Sequence, residues 1–321
     1  MLRGILFVLT TIFVTSSASL AAERTVTDDA GRQITIPDEP ERIVVLHEAL
    51  LGVPLADLGL VPVGSYGRGD DGQSLMAVDF YRDVLGVRAP STTPRGIGPI
   101  GEIDLERLGA LEPDLIIGTD RDGSKIERLS TIAPVYIQNA SAGRVSGFQT
   151  QAELAELLGR QAIFEQRRDA YLERARELRA TEGSTSGRRD YLGLFLTDQL
   201  NAIGDVTGVA QAMSDLGYSR LALAPTDGGS GMGSSLFVPL STEIVGRLDP
   251  DILLAMNTYA GGRDEDAVRS SLDRIVPGWS RFLKPAIDGR ILYLDSAKVV
   301  TPSIASAENT LDAYEDWLAG R

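Results

Sequence analysis

Residues able to do chemistry are scarce in this chain. It holds one histidine, His47, and no cysteine in 321 residues, which rules out thiolate metal sites, thiol nucleophiles and disulfides. One imidazole can make a hydrogen bond but cannot build a clustered metal site. No Gly-x-Ser-x-Gly elbow is present, so the usual strand–turn–helix nucleophile is missing. The glycine-rich run Asp227 to Ser235 lacks the lysine of a phosphate-binding loop and the spacing of a dinucleotide fingerprint. It reads instead as a mobile loop with Met232 as an adaptable apolar contact. What remains is a set of donor-rich side chains and a pair of glutamates, Glu106 and Glu243, at matching places in an internal repeat. This inventory suits binding better than catalysis, and the expectation is that the protein is not an enzyme.

The elements that would position these residues alternate between strand and helix. Thr25–Thr27 and Gln33–Ile36 flank a Gly-containing turn and read as a hairpin. Apolar runs at Arg42–Leu46, Val61–Ser65, Leu115–Gly118 and Val135–Ile137 read as buried strands, with helices at Leu50–Leu58 and Leu105–Leu111 between them. The same texture returns at Tyr191–Leu196, Ile252–Met256 and Ile291–Leu294. Such alternation predicts an α/β fold with mainly parallel sheets. Between the halves, Leu154, Leu158, Phe164, Tyr171, Ala175 and Leu178 recur at helical spacing without proline. One helix of about 45 Å is expected there.

Asp104–Ile117 aligns without gaps with Ser241–Leu254, pairing Glu106 with Glu243 and Pro113-Asp114 with Pro250-Asp251. The shared order of helix, turn and strand argues for a duplicated lobe. The expected architecture is therefore two Rossmann-like α/β lobes, 23–148 and 183–321, joined by one long helix over 149–182, with a ligand cleft between them. In such sheets, ligand contacts come from loops at the carboxyl ends of strands. That rule selects His47, Tyr66, Arg68 and Arg121 in the first lobe. It selects Asn257, Tyr259 and Lys298 in the second, with the loop before Leu240. Trp317, in a terminal helix, reads as a packing residue, while Trp279 after Pro277-Gly278 fits the cleft and packing equally.

The first 22 residues have the layout of an export signal: Arg3, an apolar run from Gly4 to Val14, then small residues to Ala22. The apolar run is about half the roughly 20 residues a bilayer span needs. Cleavage near Ala21 or Ala22 is expected, giving a free periplasmic protein. With 45 acidic against 31 basic residues and a net charge of −14, a nucleic-acid partner is not expected.

Three segments carry a family resemblance: Thr27–Pro37 with Pro40–Leu46, the two Leu-x-Pro-Asp repeats, and Asp288–Asp295. In order and spacing, the chain resembles the substrate-binding proteins of iron–siderophore, haem and cobalamin ABC importers. The resemblance implies a monomer that carries a ferric siderophore or related metal chelate to an inner-membrane permease, with no cofactor of its own. It further implies that Glu106 and Glu243 dock onto permease arginines, and that Arg121, Tyr259 and the segment near Phe237 touch ligand. Guanidinium forks meet the oxygens of such chelates with several donors at once, which draws in Arg68 and Arg95 as well. The arginine expected shortly before the docking glutamate is missing from Gly96–Glu102, with Arg95 lying near enough to substitute. Haem or cobalamin remain alternatives, haem using His47 with Tyr66 or Tyr259. A periplasmic hydrolase and a ligand-free sensor module are the readings outside this class.

Overall fold

The computed structural model describes residues 22–140, 147–181, 189–204, 207–221 and 237–320. The expected export signal, save Ala22, lies outside the described residues, as does the Asp227–Ser235 run. Strands β1 (Glu23–Thr27) and β2 (Gln33–Pro37) form the expected antiparallel hairpin. Its turn closes on Asp28, whose carboxylate accepts from the Ala30 and Arg32 amides.

The first lobe is built on a five-stranded parallel sheet of β3 (Ile43–Val45), β4 (Gly64–Ser65), β5 (Arg95–Gly96), β6 (Leu115–Thr119) and β7 (Val135–Gln138), in the order β5-β4-β3-β6-β7. These strands are almost wholly buried because helices cover both faces, which explains their uninterrupted apolar runs. The second lobe has β8 (Arg189–Leu196), β9 (Leu200–Ile203), β10 (Tyr218–Arg220), β11 (Phe237–Leu240), β12 (Ile252–Asn257) and β13 (Ile291–Tyr293). Its order is β11-β9-β8-β12-β13, with β10 paired to the start of β8. Here β8, β12 and β13 are parallel while β9 runs antiparallel to both its neighbours.

The internal repeat is realised residue by residue. Asp104 and Ser241 each cap a helix, Leu105–Ala110 and Thr242–Val245, with their side chains. The Asp of each Pro-Asp pair then ties its strand to the lobe's first strand. Asp114 accepts from the Glu41 and Arg42 amides, and Asp251 accepts from the Asp190 amide.

The expected single helix over 149–182 is instead two, Gln149–Leu157 and Gln161–Thr181. Gly159, at φ +65°, takes the left-handed conformation that ends the first helix. The break resets the helical phase. Leu154 and Leu157 join the core of the first lobe, whereas Phe164, Tyr171, Ala175 and Leu178 pack into the core of the second. The second helix is about 32 Å long at 1.5 Å per residue.

The lobes meet around Asp57, whose side chain is fully buried. It accepts hydrogen bonds from Gln151 Nε2 (3.0 Å), the Ala305 amide (3.2 Å) and Arg167 Nη1, with Arg88 Nη1 at 3.4 Å. Arg88 and Arg167 also clasp Glu308 of the C-terminal helix Ile304–Ala319 at 2.6 and 2.9 Å. Beside this ionic node, Ala49, Val53, Phe80 and Val84 pack with Ala297 and Ala305 in one apolar cluster. Removing one partner from a buried charge network costs about 3–5 kcal/mol. Asp57→Ala is accordingly expected to lower the unfolding free energy by that amount in urea denaturation; a loss under about 1 kcal/mol would show that the node does not hold the lobes together.

Candidate functional site

In the first lobe the chain enters at β3, moves outward through β4 and β5, then returns to the other side of β3 as β6. β3 and β6 are thus the adjacent strands at which the topology switches, and their carboxyl ends are where such sheets bind ligands. His47 and Arg121 each lie two residues beyond those ends. The two strands stay in register up to that point, where the Leu46 amide donates to the Ile117 carbonyl at 2.9 Å.

His47 has an extended backbone (φ −155°, ψ 108°) and caps the π-helical turn Glu48–Gly52. Its Nδ1 accepts from the Leu50 amide at 3.2 Å. Burial and the positive charge of Arg121 push its pKa down to about 4, against the opposing pull of Asp122. Arg121 is exposed and forms no ion pair or hydrogen bond among the described residues. The neighbouring acid is already spent. Asp122 accepts from the Thr119 amide and hydroxyl, both at 3.0 Å, and pairs with Lys125 at 2.7 Å.

Tyr66 is buried, with the Lys125 ammonium 3.3 Å from its hydroxyl and 5.3 Å from its ring centre. Burial pushes the phenol above its ordinary pKa, partly offset by Lys125. Arg68 corrects the expectation of an open ligand contact. It is completely buried, bonded to Glu48 at 2.5 and 2.8 Å, to Asp79 at 2.8 Å and to the Gly72 carbonyl at 2.7 Å. Burial alone would lower its pKa, but Glu48 and Asp79 outweigh that and hold the guanidinium charged. Its task is to neutralise Glu48, which burial would otherwise leave unpaired. Arg95 is exposed but opens the outermost strand, two strands from β3, and its Nε donates to the Asp70 carbonyl at 3.3 Å. The structure does not bring it to His47 and Arg121.

The second lobe has the corresponding switch between β8 and β12, where the Thr258 amide donates to the Leu196 carbonyl at 3.0 Å. Asn257 sits there, buried, its Nδ2 donating to the Gly262 carbonyl at 2.7 Å and its Oδ1 without a partner among the described residues. Tyr259 packs edge-on against Phe80 of the first lobe (5.2 Å) and Phe195 of the second (5.6 Å). Burial raises its pKa. Lys298 is exposed, and its ammonium has no partner among the described residues. It follows Ala297, which packs against the first lobe. The Phe237 side chain lies outside the described residues. One contact absent from the sequence reading also crosses here: Arg263 pairs with Asp83 of the first lobe at 3.3 Å and Asp295 of the second at 3.2 Å. No spacing signal marks it, because its partners are remote in sequence.

Glu106 and Glu243 occupy the first turns of the two repeated helices and are both exposed. Glu106 has no partner among the described residues, while Glu243 pairs with Arg247 at 2.6 Å. Beside each lies a concavity lined by both apolar and charged side chains, Lys125 and Arg128 in the first and Arg247 in the second. One of about 280 Å³ is lined by Ile103, Leu105 and Leu129, and one of about 430 Å³ by Ile275, Pro277 and Phe282. Among the described residues no group of three or more His, Cys, Asp or Glu side chains is placed to hold a metal ion, and no helix is long and apolar enough to cross a membrane. Trp317 packs as expected, against Tyr314, and Trp279, which the sequence left open, is buried with its Nε1 on Asp273.

Residues 65–297 match the family model described as periplasmic binding protein. The chain belongs to that family. Among its curated members, the chain is 28% identical over 225 residues to the Fe(3+) dicitrate-binding periplasmic protein FecB of Escherichia coli, covering 68% of this chain and 69% of FecB. It is 21% identical over 291 residues to the ferric-anguibactin-binding protein FatB of Vibrio anguillarum, covering 85% and 82% of the two chains. The fold is that of Staphylococcus aureus SirA, solved with staphyloferrin B: TM-score 0.68 at 17% identity over 92% of this chain and 98% of SirA.

His47 offers a direct check on the site's electrostatics. Its folded pKa lies below the ordinary 6.5, so the unfolded chain takes up the proton first as pH falls. The stability it contributes is complete above pH 6.5 and is lost on descending to about 4, by at most about 1.4 kcal/mol per pH unit. An NMR titration of this lone imidazole should show no midpoint above pH 5, and Arg121→Ala should move the midpoint upward. A wild-type midpoint near 6.5 would contradict this picture.

Proposed function

We propose that this protein captures a ferric siderophore in the cleft between its lobes and delivers it to an ABC importer, without transforming it. The observation that carries this is that Ala49, two residues after His47, and Tyr259, two residues after Asn257, meet in one apolar cluster built by both lobes. The reading is supported by relatives whose names specify ferric chelates. We further propose that the lobes divide at the helical segment 149–182, that the protein works as a periplasmic monomer, and that Glu106 and Glu243 dock onto permease cations. Exposed ion pairs are worth only about 0–1 kcal/mol each, so the glutamates would set register, with the concavities beside them adding contact area.

Haem fits less well. Tyr66 is buried against Lys125, and Tyr259 is packed between Phe80 and Phe195. Tryptophan fluorescence titration against ferric citrate, a ferric hydroxamate, a ferric catecholate, haemin and cobalamin tests the reading. Micromolar or tighter binding of one ferric chelate is expected; silence across the ferric chelates would refute it. Glu106→Ala with Glu243→Ala should leave that binding intact and reduce ligand-dependent stimulation of the importer at least tenfold. Undiminished stimulation would remove the docking role.

A further inference from the structure

Resting on the binding reading above, we propose that His47 is a fixed hydrogen-bond donor, through Nε2–H, to a carboxylate of the ligand that Arg121 holds at the same switch point, and that it is not a metal ligand. The chelate class this selects is a carboxylate one. Nδ1 already accepts from the Leu50 amide at 3.2 Å, so it carries no proton. A neutral imidazole then has its single proton on Nε2. Nε2 has no partner among the described residues, and it is not among the polar atoms sealed from solvent without one. It is a donor with nothing to donate to. For Nε2 to bind iron the proton would have to move to Nδ1, which would then no longer accept from the Leu50 amide, or leave altogether to give an imidazolate. For Nδ1 to do so, the turn Glu48–Gly52 would lose its cap.

The surroundings agree on charge. Arg121 lies at the same switch between β3 and β6 and has no counter-ion among the described residues. Asp122, the acid beside it, is spent on Thr119 and Lys125, and Asp120 accepts from the Ala140 amide. Lys298, next to the Ala297 that packs with Ala49 across the junction, is likewise without a counter-ion among the described residues. Two cations without counter-ions among the described residues and a neutral donor therefore follow the carboxyl ends of β6, β13 and β3, in a chain whose net charge is −14. A neutral hydroxamate chelate would leave those charges unanswered, whereas carboxylate oxygens accept from all three groups.

Two substitutions separate donation from capping. In His47→Asn the amide oxygen takes the place of Nδ1 and keeps the cap, but nothing replaces Nε2–H. In His47→Gln the amide nitrogen takes the place of Nε2 and keeps the donor, but the cap is lost. With ferric citrate as probe and the full chain, His47→Asn should keep the melting temperature and weaken Kd by about 10- to 100-fold. His47→Gln should melt lower and hold Kd within about threefold. Affinity that follows the melting temperature in both variants would reduce His47 to a cap and overturn the donor role. Tighter binding of ferric desferrioxamine B, a hydroxamate chelate without a carboxylate, than of ferric citrate would overturn the carboxylate class while leaving siderophore capture standing. Failure to bind any ferric chelate would bring down both.

Discussion

A buried carboxylate must be answered on every side, and at Asp57 that requirement fixes how the lobes meet. Its donors come from the Gln149–Leu157 helix, the Gln161–Thr181 helix, the segment after Leu85 and the first turn of the C-terminal helix. Gln151, which donates to Asp57, uses its carbonyl oxygen to accept from the Ile304 amide at 2.8 Å. The Ser303 hydroxyl accepts from the Ser306 amide. Three opening amides of the Ile304–Ala319 helix are thus satisfied, two by residues of the Asp57 network and one by the helix's own cap, although a helix leaves these amides without intrahelical partners. Separating the lobes would strand donors and acceptors that water does not reach. The proposed cleft is therefore bordered by a fixed frame.

The parallel core was legible because strands covered on both faces must be continuously apolar, and β3, β6, β8 and β12 are. The antiparallel strand β9 was not. Only four residues long, it follows a tight return in which the Thr197 amide donates to the Gln199 carbonyl, and so it reads as the tail of β8. The helix over 149–182 failed for a different reason. Its apolar spacing is helical on both sides of Gly159, and only the tertiary structure reveals that the two sides feed different cores. A glycine inside a helical pattern is a weak signal when the periodicity on each side is strong.

The site divides along the same line. The carboxyl-end rule located His47, Arg121 and Asn257 because topology alone decides where β3, β6 and β12 end. It could not separate Arg121 from Arg68, since both are loop arginines beyond strand ends. What distinguishes them is Glu48, a buried acid 20 positions from Arg68, and no periodicity reports such a partner. The Asp57 node was half visible. The Ala-Asp-Leu-Gly segment around Asp57 is echoed at Ser214–Gly217, and both glycines take the positive φ of a helix end. The two aspartates nonetheless serve different partners, Asp57 bridging the lobes and Asp215 accepting from Tyr171. Shared spacing preserved the turn but not the role.

The repeated glutamates also gain their position from topology. A helix that returns the chain to a parallel sheet runs against its strands, so it begins at their carboxyl ends. The Asp104 amide donates to the Ile97 carbonyl just past β5, and Ser241 follows β11, whose last residue is aligned through Leu200 with Leu196 at the end of β8. Glu106 and Glu243 therefore stand at the same ends of their sheets as the loops carrying His47, Arg121 and Asn257. In a frame clamped at Asp57, a partner that engages both carboxylates also meets the rim of the cleft.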